Sequence, residues 1–152
     1  MLEDWIDNLA KACGTVYAGK GRSMRAFRQY EKNEIPEAIT QYPCCIQLPQ
    51  SVRLSYSSGG VCTAIWTGTT EFHLASNLGR KALPEVLLFY DRIFRAFAAH
   101  VTLYGSVAQC LLDPDGPSIE GPMEMRWGSE DFHYGMVAHW TVKEVLTGVT
   151  VS

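Results

Sequence analysis

No stretch of apolar residues in this sequence is long enough to span a bilayer, so a membrane-spanning helix is not expected. There is no Cys-x-x-Cys pair and no close pair of metal-ligand residues at zinc spacing. There is no Gly-x-Ser-x-Gly elbow, and no glycine-rich loop has phosphate- or dinucleotide-binding spacing. Charge is scarce, at 19% of residues, and the formal net charge of −3 argues against a nucleic-acid clamp, which normally carries a basic face. The opening segment MLEDWIDNLAKAC carries acids where a secretory leader would carry basic residues. The five cysteines are odd in number, and the adjacent Cys44 and Cys45 project to opposite faces of a strand, so a disulfide framework is not expected. A reducing, cytoplasmic setting is the simplest expectation.

What remains is a globular chain. Its 152 residues are 47% hydrophobic, which suits a single domain spanning 1–152 that buries about 68–70% of its unfolded surface. Leu2, Ile6, Leu9 and Cys13 recur at helical spacing, with Trp5 beside them, Asp4, Asp7 and Lys11 outward, and Gly14 as a stop. Residues 14–34 are glycine-punctuated and basic and read as a loop or arm. Lys20, Arg22, Arg25, Arg28 and Lys32 lie there, with Met24, Phe27 and Tyr30 interleaved, as in a docking arm for an acidic partner or a solvated loop.

From Pro43 the hydrophobic period becomes two. Cys44 to Leu48 reads as a short strand closed by Pro49, and Val52, Leu54 and Tyr56 alternate with polar residues. After the turn at Ser57–Gly60, Cys62, Ala64, Trp66, Phe72 and Leu74 share one face of a strand from Val61, while Thr63, Thr67, Thr69 and Glu71 point away. Gly68 suggests a bulge or bend within it. The segment Pro84 to His100, PEVLLFYDRIFRAFAAH, reads as a helix so apolar that more than one side must be covered, by another layer of the chain or by a neighbouring subunit. Strands are then expected over Val101–Leu112, Ile119–Trp127 and Tyr134–Leu146, the second interrupted by Pro122, with Ile119, Met123 and Met125 opposite Glu120 and Glu124. The fold class is α+β: a mostly antiparallel sheet packed by an N-terminal helix and the central apolar helix.

Reactive candidates are sparse. Cys44 or Cys45 could meet His73 or His133 as a nucleophile–base pair, but a strand cysteine in an apolar run is ordinarily core. His73, His133, His139, Cys62 and Asp131 could be drawn as metal ligands without any spacing that announces a site. The carboxylates Glu120 and Glu124 share a face under this alternation, which a solvated surface explains. No catalytic, cofactor or metal residue is assigned.

Several segments nevertheless form a familiar pattern. These are Ile35-Pro36-Glu37-Ala38-Ile39 before the Pro43-Cys44 strand, Trp66-Thr67-Gly68-Thr69-Thr70-Glu71-Phe72-His73-Leu74, and Leu87-Leu88-Phe89 through Phe94. Asp115-Gly116-Pro117-Ser118-Ile119 follows, then Ser129-Glu130 through Lys143-Glu144 with Trp140. Over residues 35–146 the chain resembles the tail terminator (tail completion) proteins of long-tailed bacteriophages, within the broader group of neck proteins. The resemblance implies a non-enzymatic virion protein, assembled in the host cytoplasm, forming a hexameric ring. The ring would cap the tail tube, end its polymerisation and join tail to head. The implied partners are further copies of the chain, the tail tube protein and a head-completion or connector protein. DNA would be only passing cargo, and no cofactor or membrane is implied. A head-side connector is the alternative within this class, and a small cysteine-dependent enzyme or ligand-binding domain the alternative outside it. On this reading the basic arm is a candidate docking element, and Arg53, Thr67, Glu71, Arg92, Arg95 and Glu124 are candidate subunit-interface residues.

Overall fold

A computed structural model describes residues 2–16, 25–26, 43–57, 59–76, 87–126 and 133–147. Its elements are α1 (Leu2–Cys13), β1 (Arg25–Ala26), β2 (Cys44–Ser57), β3 (Val61–Ser76), α2 (Phe89–Ala99), β4 (Gln109–Leu112), β5 (Ile119–Met125) and β6 (His133–Thr147). The architecture is α+β, with a mostly antiparallel sheet and, among the described residues, two helices, as the hydrophobic periods anticipate. The sheet order is β1-β2-β3-β6-β4, with β5 also paired to β6. Among the described residues only the short β1–β2 pairing is parallel.

One edge strand is assembled from two pieces. Along β6, β4 pairs with Trp140–Lys143 and β5 with His133–Ala138. His139 between them is bridged from both sides: Asp113 N–H donates to its carbonyl at 2.8 Å, and its own N–H donates to Ser118 O at 2.8 Å. The residues between Asp113 and Ser118 therefore form an excursion from a single edge.

Both helices cover the same sheet face. From α1, Trp5, Ile6, Leu9 and Cys13 are buried, and from α2, Phe89, Ile93, Ala96 and Phe97. They join Cys45, Phe72, Leu74, Met136, Ala138, Trp140 and Val142 in one core. Trp5 stands between Trp66 and Trp140, at ring-centroid distances of 5.5 and 5.7 Å, and Trp140 Nε1 donates to Thr70 Oγ1 at 2.9 Å. An aromatic that finds a polar partner for its ring nitrogen can be buried without an orphaned donor. Gly68 lies beneath this cluster. A Cβ there would come within 2.6 Å of both Leu48 O and Trp140 Cη2. Gly68 is thus a close-approach position, filled from the side by the tryptophan ring, and the bulge lies on the partner strand.

That bulge corrects one expectation. Cys44–Leu48 and Val52–Tyr56 belong to one continuous strand, whose register to β3 shifts between Pro49 and Ser51. The extra residue, Gln50, reverses the inward/outward phase, so Cys45 and Gln47 share a face with Val52, Leu54 and Tyr56. Proline is tolerated there because it sits at a bulge on a sheet edge and need not donate to the ladder. The turn into β3 uses Gly59 and Gly60 at φ of 87° and 75°, a backbone region that favours glycine.

Two further expectations fail. Residues 101–108 are not strand: they turn, and β4 begins only at Gln109. Leu103, Tyr104 and Gly105 all take positive φ (46°, 59° and 81°), which ends any extended run. Leu103, 1% exposed, is driven into the core by this turn, and Asn8 Nδ2 donates to its carbonyl at 3.2 Å. In β5 the register shift between Glu120 and Met123, around the cis Gly121–Pro122 bond, separates residues that alternation alone would put together. Ile119 pairs with Ala138 on the helix-covered face, whereas Met123 and Met125 pair with Gly135 and His133 on the opposite one. Glu120 and Glu124 consequently lie on opposite faces.

Candidate assembly surfaces

From Gln50 to Ser57 every residue of β2 is exposed. Val52, Leu54 and Tyr56 are 43%, 49% and 77% exposed, although Trp66, Ala64 and Cys62 directly opposite them on β3 are half-buried or buried. The helices cover the inner columns of the sheet and stop short of its edge column. Among the described residues, β1 pairs with β2 only at Cys44 and Cys45. The distal half of β2 is therefore an open edge with an apolar front, the kind of surface that isolated soluble domains ordinarily blunt. On its back, Arg53, Ile65, Lys143 and Gln109 form one cross-strand row. Arg53 and Lys143 are exposed, and neither has a counter-charge among the described residues.

A second surface flanks the opposite edge. Leu87, Tyr90 and Phe94 follow one side of the α2 segment at i, i+3, i+7 spacing. The Tyr90 hydroxyl donates to Gly121 O of β5, fixing that side of the helix over the β5 edge. Leu87 and Phe94 beside it are 52% and 48% exposed, and Leu88 is 60% exposed. Among the described residues, the expectation of a helix covered on more than one side is thus met on one side. Asp115 of the excursion and Glu124 of β5 are exposed here, again without a charge partner among the described residues.

The other candidate residues distribute as follows. Thr67 is exposed and shares a hydroxyl–hydroxyl hydrogen bond with Ser51. Arg95 pairs with Asp91 at 2.8 Å one turn earlier, and the Arg92 guanidinium lies 5.1 Å from the Phe89 ring centroid. Glu71 turns to the interior: its side chain is 24% exposed, and its Oε2 is 3.2 Å from His73 Nε2. Of the basic arm, Lys20, Arg22, Arg28 and Lys32 lie outside the described residues, and Arg25 is described only through its backbone pairing with Cys44. Asp131 likewise lies outside them.

The histidines resolve into separate environments. His73 Nδ1 and His133 Nε2 share a hydrogen bond, with ring centroids 4.7 Å apart, and both residues are buried. Cys44 stands in register with His73 on the same back face. It is fully enclosed, so its sulfur has no open surface at which to meet a substrate. His139 pairs instead with Glu120 at 2.7 Å, and Cys62 lies on the front face. Among the described residues no group of three or more His, Cys, Asp or Glu side chains is arranged to hold a metal ion. All five cysteines are buried free thiols. A hydrogen bond from Cys13 and burial hold the Cys45 thiol well above its ordinary pKa, and burial does the same for Cys110, with Cys13 adding to it. Such thiols pack as small hydrophobes and are poor nucleophiles.

Among the described residues, no helix is long and apolar enough to cross a membrane. No protein-family model matches the chain, and no curated protein matches it.

In the sequence Val52, Leu54 and Tyr56 read only as one alternating face, since alternation marks a face without saying how far along it the covering layer extends. Leu87 and Phe94 were concealed in the same way, inside a helix whose every side reads apolar.

Proposed function

We propose that this chain is a structural subunit of a bacteriophage tail, acting as a tail terminator. Copies assemble into a closed ring, with six the number implied by the resemblance. The ring caps the tail tube, prevents further tube subunits from joining and offers its other face to a head-completion or connector protein. It works by binding, without a reaction centre or cofactor. Assembly takes place in the host cytoplasm, the product belongs to the virion, and DNA passes through without specific recognition.

The observation that carries this reading is the presence of two unlike exposed apolar patches at opposite edges of the sheet. One lies on the open β2 edge, the other beside the β5 edge under α2. A patch that matches a different patch on the next copy makes a head-to-tail contact, and such contacts close into rings when the rotation permits. The resemblance over residues 35–146 supplies the biological setting. Native mass spectrometry with negative-stain imaging of the purified chain tests it. Six subunits around a central channel is the expected result. A chain that stays monomeric at every concentration, and with tube ends present, would defeat the proposal.

A further inference from the structure

Resting on the ring reading and going beyond it, we infer that the bare back face of the sheet around Arg53 and Lys143 lies against the phosphate backbone of double-stranded DNA in the channel. The contact is made to phosphates and not to base edges, so it is blind to sequence.

Both helices pack on the front of the sheet, and the distal half of its back is open. Here β2, β3 and β6 run in unbroken register, Ser51–Ser57 against Val61–Thr67 and Val61–Thr67 against Thr141–Thr147. The surface they make is a regular ladder. Across its centre runs the row Arg53, Ile65, Lys143 and Gln109. Arg53 and Lys143 stand two inter-strand spacings apart, or about 10 Å. Hydroxyl side chains flank the row, Ser55 and Thr63 before it and Thr67 and Thr141 after it, and none of these residues is buried. Arginine, lysine, serine, threonine and glutamine are the side chains that reach phosphate oxygens.

Charge selects the occupant. Neither Arg53 nor Lys143 has an ion pair among the described residues. Glu144, next to Lys143, turns to the helix-covered face with Ala64. The nearest acid along this side is Asp113 beside His139, four residues from Lys143 along β6, or about 14 Å. Its Oδ1 already accepts the Asp115 N–H at 2.9 Å. That separation exceeds the screening length of about 8 Å at physiological salt, so the two cations act on their surroundings unopposed. The centre of a protein–protein contact is poor in charge and rich in aromatic residues. The centre of this face is two cations around a half-buried isoleucine, with the apolar Val145 and Leu111 in the rows beyond. Two cations a copy hold a duplex only weakly, in keeping with a net charge of −3, and a ring repeats them around the channel.

The test is fluorescence anisotropy of a labelled DNA duplex of arbitrary sequence, titrated with the full-length chain across a range of salt, with native mass spectrometry of the same samples. Arg53→Gln combined with Lys143→Gln, both exposed, should keep the rings and weaken duplex binding at least about tenfold at about 50 mM salt. The slope of log affinity against log salt should become shallower by about 1.8 for each copy engaged, at about 0.9 per phosphate released from its counterions. Lys11→Gln, an exposed cation on α1, should change neither. Rings that ignore the duplex, or a double variant that binds it as wild type does, would overturn this contact and leave the ring reading intact. Loss of rings in the double variant would overturn it in favour of a subunit contact. Displacement of the duplex by polyglutamate at equal charge would overturn it in favour of an acidic protein partner. A chain that binds the duplex through these two residues yet never forms rings would support the phosphate contact and defeat the ring.

Discussion

Phe94 and Phe97 stand one turn apart on α2 and face opposite fates, so truncating each to alanine separates folding from assembly. Phe97 is 6% exposed in the core, and Phe94 is 48% exposed. Removing a buried phenylalanine forfeits its transfer free energy and leaves a cavity, costing about 3–5 kcal/mol. Removing a half-exposed one forfeits roughly half the transfer energy and opens no enclosed cavity, so about 1 kcal/mol is expected. In a chain of this size each kcal/mol lowers Tm by about 2–4 °C. Phe97→Ala should therefore melt about 6–20 °C below wild type, and Phe94→Ala no more than about 4 °C below. The assay is thermal unfolding followed by circular dichroism at a concentration dilute enough to keep the chain monomeric. Repeating it at high concentration adds the second readout, since assembly stabilises the folded state by mass action. Wild type and Phe97→Ala should gain stability with concentration, and Phe94→Ala should gain much less. Equal losses for the two variants in dilute solution would refute the assignment of α2's buried face. A concentration response of Phe94→Ala equal to wild type would refute a role for that side of the helix in assembly.

Gly68→Ala should destabilise by about 1–3 kcal/mol in urea unfolding, because a methyl there meets a backbone oxygen and a tryptophan ring pinned by its own hydrogen bond; a change below about 0.5 kcal/mol would mean the Trp140 ring is free to move. Native protein should react slowly with an alkylating agent at all five cysteines and rapidly once unfolded, and one fast native thiol would revive the enzyme alternative. The thiols of Cys45 and Cys110 ionise less readily folded than unfolded, so their contribution to stability is complete below the unfolded cysteine pKa of about 8.5 and is lost as pH rises above it. Unfolding free energy of Cys110→Ala should accordingly fall less steeply between about pH 8 and pH 10 than that of wild type. Tyr90→Phe should cost about 1 kcal/mol by leaving Gly121 O without its donor, and parallel slopes with an unchanged midpoint would show that water replaces it.

Periodicity carried the fold class because both helices pack on one face of the sheet. On β3 and β6 the helix-covered face reads cleanly as Cys62, Ala64, Phe72 and Leu74, and as Met136, Ala138, Trp140 and Val142. The misreadings all fall where the phase changes without a change of composition. Gln50 and the Gly121–Pro122 step each insert a half-period, which no residue count across them can reveal. The left-handed run at Leu103 and Tyr104 is carried by residues that ordinarily avoid it, so only tertiary packing of Leu103 against the core selects it. The back-face meeting of His73 and His133 was illegible for a different reason. Sixty residues separate them, and their contact depends on the long-range pairing of β3 with β6, which sets His73 opposite Gly135, two residues from His133 on the same face.

The chemistry of the two edges also restricts how copies can meet. If two β2 edges paired with each other about a twofold axis, the same strip would appear on both sides. Arg53 would then face a surface carrying Arg53 and Lys143, and four uncompensated positive charges would be brought together. Two β5 edges pairing in the same way would gather Asp115 and Glu124 of both copies. Like charges placed opposite one another on a sheet destabilise it, and neither arrangement would cover the apolar patch left on the far edge. Pairing unlike edges avoids both of these like-charge arrangements and covers both patches. It also leaves one β2 edge and one β5 edge open at the ends of any chain of copies. An open chain of that kind stops growing only when its ends meet, so the same uncovered residues that make the subunit adhesive require closure to satisfy them.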